Sequence, residues 1–161
     1  MGLKIRLLAA ILAWFAAAGV HAQSAVQVPL VQSFAQEAKA AEAKRVPILV
    51  LFSRADCHFC DQVLEEFLLP MQRNPDYQAK VIMRQVRVGG GAPLRDFSGK
   101  PTTHGRFARD HRVQLAPTIM LFDPRGKELT EALIGLSTPD YYGGFLDQRI
   151  DEALAKMRGP E

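Results

Sequence analysis

Apolar stretches alternate along the chain with amphipathic stretches, and the two kinds predict different elements. The run PILVLF at 47–52 is apolar throughout and contains β-branched residues, which is typical of a strand buried on both faces. KVIMRQVRV at 80–88 predicts a second strand. PTIMLFD at 117–123 and KELTEALIG at 127–135, joined by a turn at Pro124, predict an antiparallel hairpin.

Helical patterns separate these strands. Ser33 is a candidate cap for a helix in SFAQEAKAAEAKR at 33–45, which is rich in good helix formers. In CHFCDQVLEEFLLPM at 57–71 the apolar residues recur at helical spacing, and Pro70 is expected to bend or end that helix. The other expected elements are an irregular lead-in over 23–32, a long loop over 89–103, a short helix over 104–112 and a final amphipathic helix from about Pro139 to Met157. This order predicts an α/β fold with one mixed sheet between helices.

The first 22 residues have the three-part pattern of a secretory signal peptide. Lys4 and Arg6 precede an apolar core at 7–18, and the triplet Val-His-Ala ends at Ala22. We expect cleavage after Ala22 and a mature chain that begins at Gln23. The apolar stretch of roughly fourteen residues is shorter than the ~20 that span a bilayer, so export to the periplasm is favoured over a membrane anchor.

Removal of this segment changes the charge balance. The full chain has 20 Lys+Arg and 17 Asp+Glu, and the segment contains two of the basic residues, Lys4 and Arg6, so 18 remain against 17. A nearly balanced chain gives no electrostatic indication of nucleic acid or of an anionic membrane surface as a partner. Of 161 residues, 139 remain after residue 22, which suits one domain at 33–161.

Cys57 and Cys60, the only cysteines, stand three positions apart where the first strand gives way to a helix. Free N–H groups and the helix dipole stabilise an anion at a helix N-terminus, so Cys57 should ionise more readily than an ordinary cysteine. Cys60, one turn later, should lie deeper, on the same helix face and within disulfide reach. This arrangement predicts that Cys57 attacks a partner disulfide and that Cys60 resolves the mixed disulfide.

Other interpretations of the pair stay open. The interpretation as a purely structural disulfide is weakly supported, because closing so short a loop removes little entropy from the unfolded chain and so adds little stability. A periplasmic carrier of copper or zinc would use Cys57, His58 and Cys60, but a closed zinc site needs four ligands and there is no second close pair. Haem attachment would require a histidine where Asp61 stands. We expect no cofactor and no resident metal, with the metal carrier and a non-catalytic binding module as alternatives.

Two separated motifs, DCHFC at 56–60 and LAPTIMLFD at 115–123, resemble those of the thioredoxin superfamily. The resemblance implies a thioredoxin-like fold, with a central mixed sheet flanked by helices and an extra N-terminal helix. In that family the second motif begins with a cis proline packed against the cysteines. The resemblance therefore implies that Pro117 is cis. It also implies that Ala116, Pro117 and Thr118 line a groove for an extended substrate. Within the superfamily, the chain is most similar to exported proteins associated with periplasmic sulfur oxidation.

The chain also departs from this pattern. Leu51 stands where thioredoxin has a buried acid that accepts a proton from the second cysteine. Phe59 stands where the strongly oxidising DsbA has a histidine that stabilises the thiolate, and Phe59 has no hydrogen-bond donor. His58 is expected to be exposed and to tune Cys57 electrostatically, whereas Asp56 disfavours an anion nearby. We expect the pKa of Cys57 between about 3.5 and about 7, closer to the upper value.

The sequence thus predicts a periplasmic thiol–disulfide oxidoreductase that acts on protein thiols and disulfides. A less stabilised thiolate makes a disulfide less oxidising, which mildly favours reduction or general exchange. An electron donor or acceptor, in the membrane or the periplasm, is implied but not identified. The mature chain is not expected to insert into the membrane.

Overall fold

The computed structural model describes residues 26–159. The predicted signal peptide and its cleavage site lie outside these residues. Within them, no helix is both long enough and apolar enough to cross a membrane. The helices are α1 (Phe34–Lys44), α2 (His58–Gln62), α3 (Leu69–Arg73), α4 (Pro75–Gln78), α5 (His104–Asp110) and α6 (Pro139–Arg158). The strands are β1 (Ile48–Ser53), β2 (Ile82–Arg87), β3 (Pro93–Arg95), β4 (Pro101–Thr103), β5 (Thr118–Phe122) and β6 (Leu133–Ile134).

The central sheet has four strands in the order β2-β1-β5-β6. β1 runs parallel to β2 and antiparallel to β5, and β6 is antiparallel to β5. Every residue of β1 is buried, as expected for an apolar strand between two layers of helices. The α/β fold with a mixed sheet and an additional N-terminal helix, α1, is therefore confirmed.

Helix α1 begins and ends as its sequence predicts. The Ser33 side chain accepts a hydrogen bond from the Gln36 backbone N–H, which caps the N-terminus. At the other end Arg45 has a left-handed backbone (φ 54°), and its N–H bonds to the Glu42 carbonyl 3.2 Å away. Phe34 is among the residues by which this helix is buried against the sheet.

The second predicted helix continues through its proline. A bend or an end is expected at Pro70, whereas the helical path runs on to Arg73 and includes a π-helical stretch, Val63–Leu68, between α2 and α3. A proline has no N–H to donate, and its ring collides with the carbonyl four residues earlier in a regular α-helix. Here Leu69 donates to the Leu64 carbonyl, five residues back, and this wider turn lies immediately before the proline.

The expectation of a long loop over 89–103 is wrong, because that segment contains the β3–β4 hairpin. The Asp96 carboxylate accepts hydrogen bonds from the N–H groups of Ser98 and Lys100, both at 2.9 Å, and closes the turn. Phe97 in this turn stacks on Phe34 at 4.6 Å between ring centroids. Three-residue strands that begin with a proline are too short to produce an alternating pattern, so the sequence does not reveal them.

The two faces of the central sheet have different cores. The aromatic face is the side that α1 and α5 cover, and its core includes Phe34, Val50, Phe52, Phe107 and Phe122. The aliphatic face is the side that the π-helical stretch and α6 cover, and its core includes Leu49, Leu51, Val63, Ile119 and Leu146. Alternate residues of β1 supply both cores, as the twofold period of a strand requires.

Candidate active site

The chain passes from β1 to α2 through the exposed segment Arg54–Asp56, which we call the approach loop. Cys57 is the N-cap of α2, with an extended backbone (φ −112°). Its sulfur accepts a hydrogen bond from the Cys60 backbone N–H, with 3.2 Å between sulfur and nitrogen. A thiolate at this position would therefore be stabilised by the Cys60 N–H, which is shared with the Cys57 carbonyl oxygen 2.9 Å away, and by the helix dipole.

Cys57 and Cys60 form a disulfide, with Cα atoms 5.2 Å apart. Cys60 is only 2% exposed, whereas Cys57 is partly exposed, so the expected difference in depth is observed. Burial disfavours the charged form of a thiol, so in the reduced protein Cys60 should stay protonated under conditions that ionise Cys57. The outer sulfur is thus the one that a substrate can reach.

The second sequence motif lies beside this disulfide. The Ala116–Pro117 peptide bond is cis, and the Ala116 carbonyl oxygen is 3.8 Å from Cys57 Sγ. Thr118 is buried, and its hydroxyl donates to the Leu115 carbonyl at 2.9 Å. The buried Thr118 side chain thus stabilises the segment 115–118. That Thr118 also lines the substrate groove stays a prediction.

The comparison with known families agrees with this arrangement. A family model described as a thioredoxin-like domain matches residues 34–150. The chain belongs to the thioredoxin-like family. On this fold the Cys57-x-x-Cys60 pair supports thiol–disulfide oxidoreductase activity.

Solved thioredoxins have a similar fold. A thioredoxin from Malassezia sympodialis is 17% identical, with a TM-score of 0.54 over 84% of this chain and 100% of that chain. Thioredoxin O2 from Arabidopsis thaliana, in its oxidized state, is 17% identical, with a TM-score of 0.50 over 76% of this chain and 94% of that chain. No curated protein matches the chain. The predicted thioredoxin superfamily and fold are confirmed, while export and the link to sulfur oxidation stay predictions.

His58 and Phe59, between the two cysteines of this thioredoxin-like protein, both face solvent. Phe59 is 56% exposed, and the two rings are 5.8 Å apart at an interplanar angle of 50°. The expected exposure of His58 is therefore observed. Phe59 has no donor to offer Cys57. The tuning of the redox pair by either residue stays a prediction.

Sequence reasoning missed two exposed apolar residues, one at the start of the second motif and one on the strand paired with it. Leu115 is 61% exposed and immediately precedes Ala116, and Ile134 is 59% exposed. Ile134 pairs with Thr118 across the β5–β6 ladder, which brings it beside the same loop. We call Phe59, Leu115 and Ile134 the apolar rim. The leucine at the start of the motif was the available signal, but an apolar residue is first expected to lie in the core.

The position where thioredoxin has a buried acid is apolar in this protein. Leu51 is fully buried on the aliphatic face. Nearby on the sheet, the Ser53 hydroxyl donates to the Gln85 side-chain oxygen at 3.3 Å, and the Gln85 side-chain nitrogen donates to the Val28 carbonyl at 2.6 Å. Neither side chain of this polar pair ionises, so neither replaces the missing carboxylate as a base.

The arrangement of side chains gives little support to the metal-carrier alternative. Over residues 26–159, no three His, Cys, Asp or Glu side chains lie together in a way that could hold a metal ion. The two sulfurs of Cys57 and Cys60 are bonded to each other. Nothing in the site geometry therefore favours a carrier over a redox pair, and the two are separated by experiment below.

Proposed function

We propose that this protein is a periplasmic thiol–disulfide oxidoreductase that exchanges disulfides with protein substrates through Cys57 and Cys60. The observation that carries the proposal is the position of Cys57 Sγ. It is partly exposed, it accepts the Cys60 backbone N–H at the start of α2, and it is bonded to a buried second sulfur. These features support an attacking role for Cys57 and a resolving role for Cys60.

Reduction of a substrate then proceeds in two exchanges. The Cys57 thiolate attacks a substrate disulfide, that S–S bond breaks, a mixed disulfide forms, and the first substrate sulfur leaves as a thiolate and takes up a proton. Cys60 loses its proton to solvent and attacks Cys57 Sγ, which breaks the mixed disulfide and releases the second substrate thiolate. Two electrons pass from the protein to the substrate. A donor dithiol must then reduce the Cys57–Cys60 disulfide again.

The surface around Cys57 favours an extended protein segment as the substrate. The apolar rim lies on segments that adjoin the accessible sulfur, and its side chains are ones that water solvates poorly. The Ala116 carbonyl is a hydrogen-bond acceptor beside that sulfur, as an incoming backbone N–H requires. An unfolded or extended segment that contains a cysteine satisfies both features.

The residues near Cys57 favour reduction or general exchange over dedicated oxidation. Asp56 precedes the attacking cysteine and disfavours a thiolate, and Phe59 offers no hydrogen bond. A less stabilised thiolate corresponds to a less oxidising disulfide. The basic start, short apolar core and Ala22 cleavage site support the periplasmic location, and the electron donor is a membrane or periplasmic protein dithiol.

Assay of the protein recovered from a periplasmic extract tests this function. Its mass should correspond to a chain that begins at Gln23. With dithiothreitol as the electron source, it should accelerate the reduction of insulin disulfides, and Cys57→Ser should abolish the acceleration. Cys60→Ser should accumulate mixed disulfides through Cys57, because the resolving thiol is gone.

Other results would favour the alternatives. Tight, stoichiometric copper or zinc in the reduced protein without disulfide exchange would favour the carrier. Absence of both activities would favour a non-catalytic binding module. Recovery of residues 1–22 in the membrane fraction would reject the proposed location.

A further inference from the structure

The approach loop determines where Cys57 stands relative to the sheet. It joins Ser53, the last residue of β1, to the capping cysteine of α2, and all three of its residues are exposed. Asp56 has a left-handed backbone (φ 53°), a conformation that aspartate tolerates better than most residues but that remains uncommon. Since no side chain of this loop is buried, its conformation depends on the contacts that other segments make with it.

One side chain makes such a contact. Arg87 Nη1 donates a hydrogen bond to the Arg54 carbonyl oxygen at 3.3 Å. In the part of the chain that the structure describes, no other segment donates a hydrogen bond to the approach loop, whose Ala55 and Asp56 form a turn of their own. Arg87 is the last residue of β2, and the parallel register places it beside Ser53, from which the loop starts. Its planar, permanently charged guanidinium suits a directed bond to a carbonyl.

The backbone of Arg87 is itself held by a hydrogen bond to a buried side chain. Its backbone N–H donates to Nδ1 of His104 at 3.2 Å. His104 is 3% exposed, and burial together with the Arg87 charge lowers its pKa, so the ring is neutral at pH 7 and its Nδ1 can accept. The backbone from which the Arg87 side chain extends is therefore fixed by a buried group.

We propose that Arg87 is a positioning residue for the attacking Cys57, holding the approach loop and adding a positive charge that offsets Asp56. The inference rests on the proposed exchange chemistry at Cys57. A tethered loop keeps Cys57 Sγ at the Cys60 N–H of α2, and the guanidinium bonded to that loop is a cation that favours the thiolate. Loss of the tether should therefore weaken both effects on the sulfur.

The test compares Arg87→Met with a matched control. Arg95 is another exposed arginine whose Nη1 donates to a backbone carbonyl, that of Gly99 at 3.0 Å, but it lies in the β3–β4 hairpin. Arg95→Met therefore removes the same charge and the same kind of bond at a place away from the approach loop. For each reduced protein, the rate of Cys57 alkylation by iodoacetamide is measured as a function of pH, with thermal unfolding as a check of the fold.

We expect Arg87→Met to slow alkylation about threefold at pH values below the midpoint, by moving that midpoint upward by about half a pH unit, because the charge is exposed and screened. Arg95→Met should match the unaltered protein. Arg87→Lys keeps the charge but not the planar donor geometry, so its midpoint should lie between those of the unaltered protein and Arg87→Met.

Two results would overturn the proposal. One is a pH profile of Arg87→Met that coincides with that of Arg95→Met. If Arg87→Met is too unstable to measure, the second such result is a pH profile of Arg87→Lys that coincides with that of the unaltered protein. Alkylation needs no disulfide exchange, so a failure of the unaltered protein to reduce insulin would reject the proposed function and leave this test intact.

Discussion

The two faces of the central sheet differ in the side chains that pack them and in their relation to the disulfide. On the aromatic face, Phe107 stacks on Phe34 with ring centroids 4.4 Å apart, and Phe97 extends the cluster into the β3–β4 hairpin. The aliphatic face has mainly leucine, isoleucine and valine, and it supports the helical segment that begins at Cys57. Its helical layer also contains the π-helical stretch.

This difference indicates that stability and redox chemistry are largely separable. Stacked rings contribute burial and a specific geometry, and here they join α1, α5 and the hairpin to the sheet. None of these rings takes part in the hydrogen bonds around Cys57. We therefore expect substitutions in the aromatic face to change the free energy of unfolding, and substitutions around α2 to change the reduction potential.

The largest expected effect is a loss of stability on Phe107→Ala. Phe107 is 3% exposed and contacts the rings of Phe34 and His111, both at 4.4 Å. Removing a buried phenylalanine leaves a cavity and lowers the free energy of unfolding by about 3–5 kcal/mol. The reduction potential of the remaining folded protein should not change, as measured by equilibration with glutathione.

Phe145→Ala is the control for this substitution. Phe145 is 46% exposed on α6, so its truncation should alter the free energy of unfolding by only about 0.5 kcal/mol. A change in the reduction potential of Phe107→Ala comparable to that of a substitution beside the cysteines would show that the aromatic face and the disulfide are coupled.

The next effect should appear in the chemistry and not in the stability. Phe59→His places a hydrogen-bond donor directly before Cys60, where it can stabilise the Cys57 thiolate. The dithiol form is then favoured, so the disulfide becomes more oxidising. We expect the equilibrium constant with glutathione to shift about tenfold, which corresponds to about 30 mV. Because Phe59 is 56% exposed, the free energy of unfolding should change by no more than about 0.5 kcal/mol.

The same substitution at Phe145, which is also exposed but lies on α6, should leave the potential unaltered. An unchanged potential in Phe59→His would instead mean that the side chain before Cys60 does not reach the thiolate. The mild preference for reduction would then need another cause, with Asp56 as the first candidate.

The features that the sequence predicted correctly are indicated by residues close together in the chain. A run of apolar residues indicated β1, and Ser33 with good helix formers indicated α1. The position of Cys57 at the start of a helix also followed from the strand-to-helix order. Each of these depends on residues that are neighbours in the chain, so a pattern of spacing is enough to find them.

The missed features depend on contacts between distant segments. The bond from Arg87 to Arg54 joins residues 33 positions apart, and no pattern of charges along the chain indicates it. Ile134 reaches the second motif only because β6 pairs with β5. The β3–β4 hairpin packs on the sheet through Phe97 and the buried Leu94, which are tertiary contacts. Its short strands have little preference of their own.

The smallest expected effect is the contribution of His104 to the pH dependence of the free energy of unfolding, which is absent at pH 7. His104 begins α5, on the aromatic side of the sheet, and burial holds its pKa below the ordinary value of 6.5. Below about pH 6.5 the unfolded chain takes up a proton that the folded protein excludes, so the free energy of unfolding falls with decreasing pH until the lowered pKa is passed. His111, whose pKa is also lowered by burial, adds to this slope. His104→Asn keeps an acceptor for the Arg87 N–H but does not titrate, so it should flatten the fall below about pH 6.5. Urea unfolding at several pH values measures the slope, and His58→Asn, at an exposed position, is the matched substitution with which it is compared. An equally steep fall in His104→Asn would assign the acid sensitivity to other groups, with His111 first among them, and the buried His104 would then contribute only its hydrogen bond to Arg87.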